Sequence, residues 1–391
     1  MHQTLYNGTV NGFYFHGGTV FAALCWVLLV ACGQTQTGEP SGDTDTLDGI
    51  EAEIAQPACP TVEILPIGWV DVDPVTGLSS TIPVLVPDDA LSMLVLLEGD
   101  SSAFYALTRM VDPEGTELIP EGWTSTANGP VCLACVNRIA ASRQTHAALI
   151  PNAPSVDMVG GQWSFQFMAF SDSDFTPLEA GASVSVVVKR GETLPDTGAL
   201  QLQVLIPTAL QNLPPDDRGN SLSVMTSQLA SVFAQVGITM EAPHQTIVDW
   251  PAAWLLDDLQ SNTHTLPETL EWGVPVLLVD ELTVGANPLA GFSPVPGGRP
   301  FAAGLGVTIV VPEAPGELDD LGTAMAHELG HYLGLWHTRE AGGQGVLDPL
   351  PDTPAVSDDN LMTVDLLGSI LTDGQGQVMR GHPAITHSCA P

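Results

Sequence analysis

The chain has 391 residues, of which 45 are acidic and 9 basic, giving a net charge of −36; hydrophobic residues make up 44%. That length exceeds one ordinary domain, and the apolar content suffices for more than one core. So acidic a chain repels nucleic-acid phosphates and anionic lipid surfaces, which excludes nucleic acid as a partner, while its carboxylates suit hard cations such as calcium.

Val20 to Ala31 form an apolar run of signal-peptide length, too short to span a bilayer as a helix. It ends in Leu29-Val30-Ala31-Cys32, which resembles a bacterial lipobox, although only His2 and His16, and no Lys or Arg, precede it. Residues 1–32 are therefore expected to be an export signal. The expectation is an outer-membrane or cell-surface lipoprotein attached through a lipidated Cys32, with plain secretion as the other outcome. Residues 33–57 are small, polar and acidic, as in a flexible linker. Beyond the signal lie Cys59, Cys132, Cys135 and Cys389. An even number in an exported chain implies disulfides, and three pairings stay open. Cys132 and Cys135 are spaced like half a zinc ribbon, but no second half follows, so a local disulfide is the preferred reading.

From 58 to 190 short alternating or apolar runs are broken by Pro, Gly and Asp. Strands are expected at Thr81–Val86, Leu91–Leu97, Trp163–Phe170 and Ser183–Val188, and this spacing predicts an all-β sandwich. No catalytic constellation falls within it, so it reads as a structural or binding module, or as a prodomain. Lys189, the only lysine of the chain, stands beside Arg190 at its end. The pair reads either as a processing site or as the basic end of a strand. Past 198 the pattern changes to mixed strands and helices. Strands are expected at Leu202–Ile206, Val274–Val279 and Val307–Val311, and helices over 222–236 and about 318–333. The fold class is thus multidomain, an N-terminal β-sandwich followed by an α+β domain over 198–391.

Residues 327–338 read His-Glu-Leu-Gly-His-Tyr-Leu-Gly-Leu-Trp-His-Thr. Helix positions i and i+4 share a face, so His327 and His331 can address one ion. Gly334 can take the left-handed conformation that ends a helix and turns the chain, returning His337 as a third ligand. Three protein ligands leave one zinc position for water, and Glu328, beside the first ligand, is placed to take a proton from it.

This segment resembles the long zinc motif of the metzincin clan of endopeptidases. Downstream, Asp352-Thr353-Pro354, then Asn360-Leu361-Met362-Thr363, then Thr372 to Arg380 are similar to the pappalysin-like branch, the cytophagalysin and ulilysin type. The resemblance implies a metzincin-like zincin fold, zinc as cofactor, Met362 in a Met-turn beneath the metal, and endopeptidase action on protein or peptide substrates. It also makes calcium plausible among Asp348, Asp352, Asp358, Asp359 and Asp365, against the reading of a solvated acidic loop. Val364 stands where some relatives have a tyrosine, so that role is not carried over. Thr372 and Gln375 additionally form a capping-box pattern for a last helix. Strand Val307–Val311 is a candidate edge for an extended substrate. The rival reading is a surface-anchored binding lipoprotein with a vestigial peptidase domain; neither the base nor any ligand has been lost.

Overall fold

The computed structural model describes residues 59–387 except 101, 121–130, 133–134, 172–175, 217, 256–272, 299–305, 313–317, 340–346, 354–357 and 365–367. The signal, Cys32, the linker, Cys389 and Asp365 lie outside the described residues. Most of the regular structure is β-sheet, in several separate sheets.

Alternation builds the first half. Seven principal strands are β1 (Thr61–Val70), β2 (Ile82–Val86), β3 (Ala90–Gly99), β4 (Phe104–Val111), β5 (Thr145–Ile150), β6 (Gly161–Phe170) and β7 (Ala182–Arg190). They pair antiparallel in two sheets, one ordered β1-β7-β3-β5 and the other containing β2-β6-β4. Met93, Val95 and Leu97 of β3 and Val184, Val186 and Val188 of β7 join Tyr105, Leu107, Phe165 and Phe167 of the opposite sheet in one core. Strand β3 reads as an unbroken apolar run because its other face is buried as well. Leu94 and Leu96, with Leu149 of β5 and Val187 of β7, belong to the core of the second half. Burying those four side chains is worth about 6–12 kcal/mol before ordering costs. The two halves therefore share a core, although among the described strands none pairs across residues 190–198.

In the second half, β8 (Leu202–Pro207), β9 (His244–Val248), β10 (Val274–Val279), β11 (Gly291–Phe292) and β12 (Val307–Val310) form a sheet ordered β9-β8-β10-β12-β11. Its first four members are parallel and β11 is antiparallel. Parallel strands need crossovers, and helix α1 (Arg218–Ala234) supplies one, burying Leu222, Met225, Leu229, Val232 and Phe233. Helix α2 (Leu318–Tyr332) packs on α1. Gly322 permits this, because a Cβ there would lie 2.6 Å from Gln228 Cβ and 2.8 Å from the Met225 carbonyl. Leu321, Met325, Leu329 and Leu333 form its buried stripe, as the helical spacing requires.

Helix α3 (Asp373–Gly381) starts on the expected capping box. Gln375 N donates to Thr372 Oγ1 at 3.2 Å, and the Gln375 side chain accepts from Thr372 N at 3.0 Å. Two expectations are corrected. Residues 307–310 are not an edge, because β11 covers them through the Gly291–Ile309 and Phe292–Thr308 pairs. Lys189 is not presented to a protease: it is 1% exposed, and its ammonium donates to the carbonyls of Arg380, His382 and Ile385 at 2.5–2.9 Å. Those acceptors at the end of α3 lie nearly two hundred residues away, which no local pattern reveals. Among the described residues no helix is long and apolar enough to cross a membrane.

Candidate metal centre

Helix α2 carries His327, Glu328 and His331, buried to 2%, 8% and 7% exposure. The helix ends at once afterwards. Gly334 takes φ +102°, Leu335 N donates to the Gly330 carbonyl at 2.9 Å, and the chain turns back. The turn brings His337 to the two helical histidines, its Nε2 3.1 Å from His331 Nε2. Two ligands on one tetrahedral zinc sit about 3.3 Å apart, so this spacing fits a shared ion. Among the described residues the only set of three metal-type side chains within reach of one ion is His327, His331 and His337, whose ligand atoms lie within 4.8 Å of one another.

The other ring nitrogens are already committed. His327 Nδ1 donates to the Leu361 carbonyl at 2.7 Å and His331 Nδ1 to the Leu335 carbonyl at 2.8 Å. Such bonds fix the tautomer and leave Nε2 to bind a metal. Burial, aided by the neighbouring His337, pushes His327 down to about 3 and His331 well below its ordinary value, so both rings stay neutral as ligands must. Burial raises Glu328 to about 8. A cation beside a carboxylate opposes such a rise.

Met362 lies directly under the helix. A Cβ on Gly330 would be 2.7 Å from Met362 Sδ, so the glycine between the first two ligands lets the methionine approach. Its turn is secured by Asn360, whose side chain accepts from Met362 N at 2.9 Å and exchanges two 3.0 Å hydrogen bonds with the Gln375 amide. Thr338 N donates to the Met362 carbonyl at 3.0 Å, which joins this floor to the third ligand's neighbour.

Two contributors were missed in the sequence. Gly291 of β11 abuts Glu328: a Cβ there would lie 2.9 Å from Glu328 Cγ and 3.1 Å from its Oε1. Leu149 of β5 lies against Gly334, where a Cβ would be 2.6 Å from Leu149 Cδ2. Glycines in a strand signal close approach but not the partner, and nothing local in 149 points to the turn. The described acidic residues of 348–359 do not gather into a cation site. Asp348 Oδ1 accepts from Leu350 N at 3.2 Å and from the Thr353 hydroxyl, while Asp352 accepts from Gly374 N at 2.7 Å and so caps α3. Asp358 and Asp359 are exposed. The Tyr332 hydroxyl donates to the Gly298 carbonyl at 2.8 Å, so this motif tyrosine anchors a loop.

Fold and site together give a three-histidine cluster that could hold a metal ion, two of its members buried, with an adjoining carboxylate, seated on a mixed sheet. No family model matches the chain, and no curated protein matches its sequence.

Proposed function

We propose that the protein is an exported, zinc-dependent endopeptidase of the metzincin-like, pappalysin-like kind, acting on proteins or peptides. One observation carries the reading: three imidazoles converge on a common point with their Nδ1 atoms engaged or their Nε2 atoms adjacent, and a buried Glu328 stands beside the first. An all-nitrogen set of three suits zinc and leaves a position open, whereas calcium takes oxygen ligands. His327, His331 and His337 would hold the ion. When bound, zinc lowers the pKa of a coordinated water and polarises a substrate carbonyl.

Glu328 supplies the proton chemistry. Its carboxylate accepts a proton from water and returns it to the leaving amine nitrogen; burial raises its basicity, and a bound cation opposes that rise. Strand β11 forms the border of the described sheet, and its Gly291 touches Glu328. An extended peptide adding to that border would pass the base with its backbone hydrogen-bonded. The absence of a side chain at 291 leaves room for Glu328 to lie against this strand.

Digestion of a denatured protein mixture, with and without a zinc chelator, tests the proposal. Chelation is expected to stop cleavage, and Glu328→Ala to slow it by about 10²–10⁴-fold. Equal peptide yields from wild type and Glu328→Ala would sink the enzymatic reading.

A further inference from the structure

The β-sandwich reaches the metal centre through one residue in particular. Arg138 is 2% exposed and follows the Cys132–Cys135 disulfide. Its backbone is clamped to the end of β5: Arg138 N donates to Asn152 Oδ1 at 3.0 Å, and Asn152 Nδ2 donates to the Arg138 carbonyl at 2.5 Å. Asn137 completes the mount, accepting from Asn152 N and donating to the Leu149 carbonyl, both at 2.9 Å. From this base the guanidinium extends into the other half of the molecule. Nη2 donates to the Leu347 carbonyl, and Cζ sits 5.5 Å from the centre of the Trp336 ring. A cation over an indole is attractive, more so where water is excluded.

Trp336 precedes His337, and Leu347 closes the segment that follows it. Leu347 pairs with Arg339 in an antiparallel bridge, and Asp348 N donates to the Thr338 carbonyl at 3.2 Å. Arg138 thus contacts Trp336 next to His337 and the Leu347 carbonyl beside Arg339, while Leu149 of the same sandwich backs the Gly334 turn.

We propose that Arg138 is a positioning residue for the third metal ligand, holding Trp336 and the Leu347 carbonyl so that His337 is presented to the ion. This rests on the reading that the triad holds a metal. It makes residues 59–190 a working part of the centre: removing the sandwich as a prodomain would strip the third ligand of its support.

The test uses the full chain and two readouts besides activity. These are the zinc dissociation constant, by competition with a chromophoric chelator, and the visible absorption of the cobalt(II)-substituted protein, which reports ligand number and geometry. Arg138→Met is expected to weaken zinc by about 10–100-fold and to alter the cobalt spectrum. Arg138→Lys, which can still donate to Leu347, should recover part of the loss. Ser92→Ala removes a different contact between the halves, the 2.5 Å bond from Ser92 Oγ to the Gly381 carbonyl, and should leave both readouts unchanged. If Arg138→Met keeps wild-type zinc affinity and cobalt spectrum, the positioning role is overturned. If Arg138→Met loses its near-ultraviolet circular dichroism, Arg138→Gln, which stays polar but has neither the charge nor the length to reach the Leu347 carbonyl, decides, and wild-type zinc affinity and cobalt spectrum in that variant overturn the role equally. A wild-type chain that takes up no zinc would instead remove the proposed function itself.

Discussion

The three histidines reach one point by two different routes. His327 and His331 need only a helix, because a spacing of four residues puts them on one face whatever surrounds it. His337 needs a turn that admits φ +102°, the Met362 carbonyl for Thr338, and a sandwich that contributes Leu149 and Arg138. The first route is local and short. The second gathers contacts from residues separated by as many as 209 positions. A three-histidine cluster of this design has a robust two-residue platform and a third histidine whose placement is a property of the whole fold.

The largest expected effect breaks the second route alone. Gly334→Val puts a β-branched residue at a positive φ and drives its Cβ to 2.6 Å from Leu149 Cδ2. Backbone strain of about 1–3 kcal/mol and overpacking of a similar size add up to a displaced turn. Zinc affinity should fall by about 100-fold, since each 1.4 kcal/mol is about a factor of ten. Residual binding through the two helical histidines should remain visible in the cobalt spectrum. Unchanged affinity would mean that the turn does not hold the third ligand.

A medium effect separates ligands from base on the same helix. Gly291→Ala brings a methyl to 2.9 Å from Glu328 Cγ and 3.1 Å from Oε1. The base must move while His327 and His331 stay. A kcat loss of about tenfold is expected, with zinc affinity within a factor of two, because a small displacement of a general base forfeits part of a contribution worth about 10²–10⁴. Parallel losses of kcat and zinc affinity would show that the helix moves as one piece.

What was legible in the sequence follows the same division. The metal helix, its buried stripe, the glycine turn and the capping box at Thr372 were readable, because each is set by neighbours within a few residues. The strands named from the sequence were placed within about two residues at their ends, as alternation and apolar runs allow, while Thr61–Val70, Phe104–Val111, Thr145–Ile150 and His244–Val248 were not among them. Long-range choices were not readable. Val307–Val310 looks like any strand, and only the two-residue β11 decides that it lies inside the sheet. Lys189 beside Arg190 looks like a processing site, whereas the fold places three carbonyls around its ammonium. Burial pushes that amine down to about 7, and those acceptors favour its charged form. The aspartates after His337 left two readings open in the sequence, calcium ligands or a solvated acidic loop. Asp348 and Asp352 serve instead as acceptors for backbone amides at a loop and at the start of α3.

The smallest effect measures how far the support of the third ligand extends. The Thr372 side chain caps α3, and Gln375 of the same box holds Asn360, which shapes the Met362 turn whose carbonyl binds Thr338. Thr372→Ala removes one accepted hydrogen bond and should cost about 1 kcal/mol of stability. In a chain of this size that is a fall in Tm of about 2 °C, readable by calorimetry on the metal-loaded protein. The Gln375–Asn360 pair survives the substitution, so zinc affinity should hold within a factor of two. A larger loss of affinity than of stability would place the cap inside the support of His337 and extend the non-local route as far as the last helix.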